Sequence, residues 1–197
     1  MDLRVIKTRD SLNKALVELL RDKPLTKITV TELCRMAQIN RSTYYLHYRD
    51  PYDQYDKLEQ TLYQEFADTI DGFIEAHSHW FTDLISASRD AQTRLLEELF
   101  SYIKKNALIY GSILPMHQGN ELLDKLYKAG HDRFFQTIIP EVSPEEIERL
   151  EYFFAFVASG SMGVLRQWVE RGMVESPKEM SHMVIRLVHD GPRFIGG

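Results

Sequence analysis

VTELCRMAQINRSTYYLHY, running from Val30 to Tyr48, has the spacing of two short helices crossing at a tight turn. Such a crossing needs apolar side chains at set offsets and a small residue where the backbones meet. Val30, Leu33, Ala37, Ile39, Tyr44 and Tyr48 supply the miniature core, and Cys34 is the small residue at the crossing. A free cysteine there behaves as a small buried hydrophobe rather than a reactive thiol. Thr29 and Glu32 form a capping box that starts the first helix. Asn40 caps the second, which turns Arg41, Ser42, Thr43, Tyr45 and His47 outward.

That outward set suits a DNA groove. Arg41 offers a two-pronged donor for guanine, while Ser42 and Thr43 are short enough to reach base edges or phosphates. Tyr45 and His47 carry polar tips on apolar bodies, a form that fits phosphate oxygens. Thr29 and Thr31 open the preceding helix and add hydroxyl and backbone N–H donors to the same strand. The charge distribution agrees. Residues 1–50 hold ten Lys/Arg against six acids, a net +4, and the remainder holds 14 against 23, a net −9. The total of −5 excludes indiscriminate nucleic-acid binding, but a basic head on an acidic body approaches phosphate with one end only.

The stretch ITVTELCRMAQINRSTYYLHYRD, Ile28 to Asp50, resembles the signature of the tetracycline-repressor (TetR) family of bacterial regulators. The likeness lies in the Thr before the second helix, the Ser-Thr-Tyr-Tyr run and the closing His-Tyr pair, and it extends over about residues 4 to 66. It implies that Thr29, Thr43, Tyr45 and His47 hold phosphates, while Thr31, Arg41 and Ser42 face bases. It also implies a homodimer on an inverted-repeat operator, with a helical C-terminal part that pairs across a two-fold axis and encloses an effector pocket. Two positions depart from the family pattern. Gln38 stands where the turn commonly has glycine, so a left-handed backbone there carries strain. Pro51 stands where many members have a phosphate-contacting lysine, which leaves Lys27 and Arg49 as the compensating cations. These departures keep a second reading open: a protein-interaction module, co-activator or accessory factor, that uses the same scaffold as a docking surface.

Outward from this segment the chain reads as all-α, because apolar residues recur at spacings of three and four. Leu12, Leu16, Leu19 and Leu20 line one face of a first helix, which Pro24 stops. Asp50-Pro51-Asp53, Ser143-Pro144-Glu146 and Ser176-Pro177-Glu179 each combine a cap, a proline at the first helical position and an acid at the positive end. Helices are expected near 3–22, 30–37, 41–48, 51–76, 91–106, 119–139, 144–171 and 177–190, with a short one before Pro115. Gly172 and Gly191 suit C-terminal caps, and 77–90 reads as a loop or broken helix. The division expected is 1–50 for a three-helix DNA-binding domain with its helix-turn-helix, and 51–197 for a helical effector-binding and dimerisation domain.

No apolar leader is visible in Met1–Asp10, and the longest uncharged run, Tyr152–Leu165, is too short to span a bilayer and reads as a buried helix. One cysteine permits no intrachain disulfide, which fits a reducing cytoplasm. In the body, Phe100, Tyr110, Tyr127, Phe134, Phe153 and Phe156 are the candidate lining of a pocket for a small apolar or aromatic effector. Gly160, Ser161 and Gly163 would allow a close helix crossing, within the chain or between two copies. His77, His79, His117 and His131 have no metal-site spacing. No nucleophile elbow, phosphate loop, dinucleotide fingerprint or zinc-protease motif is present. The expected partners are double-stranded DNA, a second copy and the effector, with no cofactor, no membrane and no enzymatic activity.

Overall fold

Helix starts in this protein follow its capping residues. The Ser143 N–H donates to Glu146 Oε2 at 2.8 Å and the Glu146 N–H returns to Ser143 Oγ at 3.4 Å. Ser176 and Glu179 repeat the pair at 2.7 and 3.2 Å. In both, proline occupies the first turn, where its missing N–H costs nothing. The computed structural model describes residues 3–76, 89–115 and 119–191. Among the described residues there are nine α-helices and no strand: α1 (Leu3–Asp22), α2 (Val30–Ala37), α3 (Arg41–Tyr45), α4 (Pro51–Ala76), α5 (Arg89–Lys105), α6 (Ala107–Ile113), α7 (Gly119–Ile138), α8 (Pro144–Glu170) and α9 (Pro177–Asp190). Short 3-10 turns lie at Leu25–Lys27 and Ile139–Glu141. The all-α expectation and most helix limits hold. The expected loop over 77–90 lies outside the described residues up to 88, as do His77, His79 and His117.

α1 packs against α2, α4 and α6, so the N-terminal helices are built onto the body rather than tethered to it. α4 begins against α1 and continues between α5 and α7; α9 lies along α5, and α8 packs on α6, α7 and α9. One buried cluster runs from Leu12 and Leu16 through Leu62 and Phe66 to Leu126 and Trp168. A smaller one, Phe73, Phe134, Phe135 and Ile138, closes the far end of α4. No helix among the described residues is long and apolar enough to cross a membrane.

Two expectations need correction. The run Tyr152–Leu165 is helical but not buried: Tyr152 is 74% and Phe156 69% exposed. The helical period divides the run. Phe154, Val157 and Ser161 face inward, whereas Tyr152, Phe156, Gly160 and Gly163 form an outer stripe that is exposed among the described residues. Of the two crossings expected at the glycines, the one within the chain is not formed among the described residues, because a Cβ added at Gly160 or Gly163 would meet nothing within 4 Å. Finally, α3 stops at Tyr45 rather than 48. The Tyr44 carbonyl accepts from both His47 and Tyr48 N–H, at 2.9 and 3.0 Å, and this tightened turn swings the Tyr48 ring into the core.

Candidate nucleic-acid interface and the cavity behind it

The interface begins at Thr29. Its backbone N–H donates to Glu32 Oε2 at 3.0 Å and its hydroxyl to the same oxygen at 2.8 Å, while Glu32 N–H donates back to Thr29 Oγ1 at 3.3 Å. Both donors of Thr29 are thus spent within the cap. Lys23 pairs with the other Glu32 oxygen, and this ammonium together with the Thr29 donors holds the carboxyl down at about 2. The box fixes the start of α2 and leaves Thr31 exposed one residue inside it.

α2 ends on Gln38, whose backbone is left-handed at φ 56°, ψ 43°. That conformation lets Ile39 N–H reach Cys34 carbonyl at 2.9 Å and reverses the chain in three residues. Cys34 is buried at the crossing, and loss of water pushes its thiol pKa up, so it stays a neutral packing group. Asn40 has the extended backbone of an N-cap but makes no side-chain cap bond, a correction to the role expected of it.

Tyr44 and Tyr48 clamp α3 from beneath. Both are buried, their rings 5.7 Å apart, and the Tyr48 hydroxyl donates to Asn13 Oδ1 of α1 at 3.2 Å. Burial raises both phenol pKa values. The neighbouring positions face outward. Arg41 and Ser42 are exposed, Tyr45 is 51% exposed, and Thr43 and His47 are half-buried beside them. Arg41 Nη2 donates to the Tyr45 hydroxyl at 3.3 Å, and the Tyr45 ring stands edge-on to Tyr44 at 5.6 Å. Thr31 on α2 is exposed as well, as are Lys27 and Arg49 before and after these helices.

A latch not foreseen from sequence joins this surface to α4. Asp53 accepts from the Arg49 backbone N–H and the Lys57 ammonium, both at 2.9 Å, and from Arg49 Nη2 at 3.2 Å. These donors, the Arg49 N–H foremost, hold its pKa at about 2. Lys57 also donates to the His47 carbonyl at 3.0 Å and lies 5.5 Å over the Tyr48 ring. The 53/57 spacing of an acid and a lysine was the available signal. Leu46, directly after α3, is 81% exposed.

Behind the interface, α4, α5, α7, α8 and α9 surround an apolar cavity of about 180 Å³. Of the six aromatic residues expected to line a pocket, Tyr127, Phe134 and Phe153 do. Phe100 is buried edge-on to Trp168 at 5.3 Å, Tyr110 packs on Tyr102 at 6.0 Å, and Phe156 lies on the outer stripe of α8. The remaining wall is mostly aliphatic, including Leu95, Leu96 and Leu99 of α5, which share one helical face. Among the described residues no group of three His, Cys, Asp or Glu could hold a metal ion.

Residues 90–190 match the TetR family described as "Transcriptional regulator C-terminal region". The HTH-type transcriptional regulator YxbF of Bacillus subtilis (strain 168) is 35% identical over 186 residues, covering 90% of this chain and 43% of that protein. The chain thus spans less than half the length of that relative. The fatty acid degradation regulator FadR from Bacillus halodurans shares the fold with a TM-score of 0.63 at 17% identity, over 94% of this chain and 96% of its own. A tetR-family transcriptional regulator from Streptomyces coelicolor does so with a TM-score of 0.60 at 15% identity, over 100% of this chain and 82% of its own. With a helix-turn-helix at its head and the matching helical region behind it, this chain belongs to the TetR family of transcriptional regulators, which are DNA-binding proteins rather than enzymes.

Proposed function

We propose that the protein works in the cytoplasm as a homodimer on an inverted-repeat operator and changes its hold on DNA when a small molecule fills the body. The observation that carries this reading is the outward face of α3, polar and exposed above a tyrosine clamp that fixes its angle. Arg41, Ser42 and Thr31 read base edges, Arg41 through the two-pronged contact that guanine accepts. Thr43, Tyr45, His47, Lys27 and Arg49 hold phosphates, and Thr29 joins them only by releasing Glu32. Residues 1–50 form the reading head, and 51–197 the effector and pairing part. The uncovered stripe of α8 supplies the pairing surface.

Two α3 helices engage successive major grooves when they stand about 34–36 Å apart. A ligand alters occupancy only by preferring one dimer spacing over another. Going from almost all bound to almost all free takes about 5 kcal/mol of such preference. α4 is the mechanical link, since Phe66, Ile70 and Ile74 line the cavity and Asp53 and Gln54 grip the head.

Selection of DNA from a random pool by the purified protein at moderate salt tests this. Enrichment of a two-fold symmetric site is the expected result. A folded dimer that enriches nothing refutes operator reading and favours the protein-interaction role.

A further inference from the structure

The cavity between α4, α5, α7, α8 and α9 restricts the charge of whatever enters it. Among the described residues its wall has no Lys, Arg, Asp or Glu. Its polar side chains are Gln92, Tyr127 and Ser161. Ser161 Oγ already donates to the Val157 carbonyl at 2.7 Å, and Gln92 Oε1 already pairs with His189 Nε2 at 2.7 Å. Tyr127 presents a ring stacked on His131 at 6.3 Å and edge-on to Phe154 at 5.5 Å. A carboxylate or ammonium entering here would lose much of its water and meet no opposite charge among the described lining residues, and that loss is costly in an apolar site.

Volume sets the size. An apolar cavity of about 150 Å³ accepts benzene, so 180 Å³ suits a molecule of about six to ten carbons. We infer that this cavity binds an uncharged, apolar molecule of that size, with no more than one hydroxyl or carbonyl, and discriminates against charged analogues of the same length. The inference deepens the effector-controlled reading and rests on it for any consequence at DNA, though not for binding itself.

Calorimetric titration of the full chain at pH 7 with 1-octanol, octanoate and octylammonium separates the cases. One saturable 1-octanol site per chain is expected, with both ions bound at least about tenfold more weakly. Ala158→Phe, which places a ring in the wall, should weaken 1-octanol by a similar factor while circular dichroism remains helical. Equal binding of either ion, unaltered binding to a folded Ala158→Phe chain, or no binding of 1-octanol overturns the assignment. Operator affinity is measured alongside. Octanol binding that leaves operator affinity unchanged supports the cavity assignment and refutes effector control. Operator binding by a chain that takes no octanol refutes the cavity assignment and leaves the reading head standing.

Discussion

Gln38 occupies a left-handed backbone conformation that most side chains resist, at the one turn on which the angle between α2 and α3 depends. The strain of such a residue is of order 1 kcal/mol. Gln38→Gly is therefore expected to stabilise the chain by up to about 1 kcal/mol, seen as a rise of roughly 2–4 °C in the thermal midpoint. Two carboxylates beside this turn give a pH signature. Glu32 and Asp53 are both held at about 2 when folded, well below the values they regain on unfolding. Their contribution is complete above the unfolded carboxylate range, near 4, and is lost as pH falls toward 2. The thermal midpoint should fall over that window, and Glu32→Gln should flatten part of the slope. The cap at Thr29, the strained turn and the buried Cys34 could all be read from residue types and spacing. Asn40 could not, because a capping residue type states a preference and not a bond.

α4 spans about 39 Å and has a different task in each part. Its first turns hold α1 through Gln54 Nε2, which donates to the Leu12 carbonyl at 2.7 Å, and hold the end of α3 through Asp53. In the middle, Glu59, only 3% exposed, pairs with Lys125 of α7. Stripping the partner from a buried carboxylate costs about 3–5 kcal/mol, but Lys125 itself is half in water. Lys125→Ala should therefore destabilise by about 1–2 kcal/mol in urea unfolding, with much of that recovered in Glu59→Leu/Lys125→Ala. The start of α4 was legible in Asp50-Pro51-Asp53, but its ion pair to α7 was not. Sixty-six residues of separation leave no local pattern, whereas the Asp53–Lys57 pair one turn apart did leave one. Aromatic type failed in a similar way for the cavity. Phe100 is the same residue type as Phe134 and Tyr110 has a ring of similar size, so the orientation of each helix determines which ring faces the space.

Taken whole, the described residues present a basic head, an apolar hollow and an uncovered helical stripe. The uncharged length of Tyr152–Leu165 signalled apolar surroundings, yet a sequence does not say whether a covering surface belongs to the same chain or another copy. In the proposed dimer that surface is the partner's. Phe156→Glu should convert dimer to monomer in light scattering, with stability of the isolated chain changed by only about 0.5 kcal/mol, as for other surface positions. Operator affinity should drop with it, since each half-site would then bind alone. The central claim concerns the outward face of α3, and selection from the random pool repeated with Arg41→Ala tests it most directly. Loss of preference at one symmetric pair of positions, worth about 1–3 kcal/mol per contact, is the expected result, with the rest of the site retained. An unchanged motif bound with unchanged affinity would contradict it.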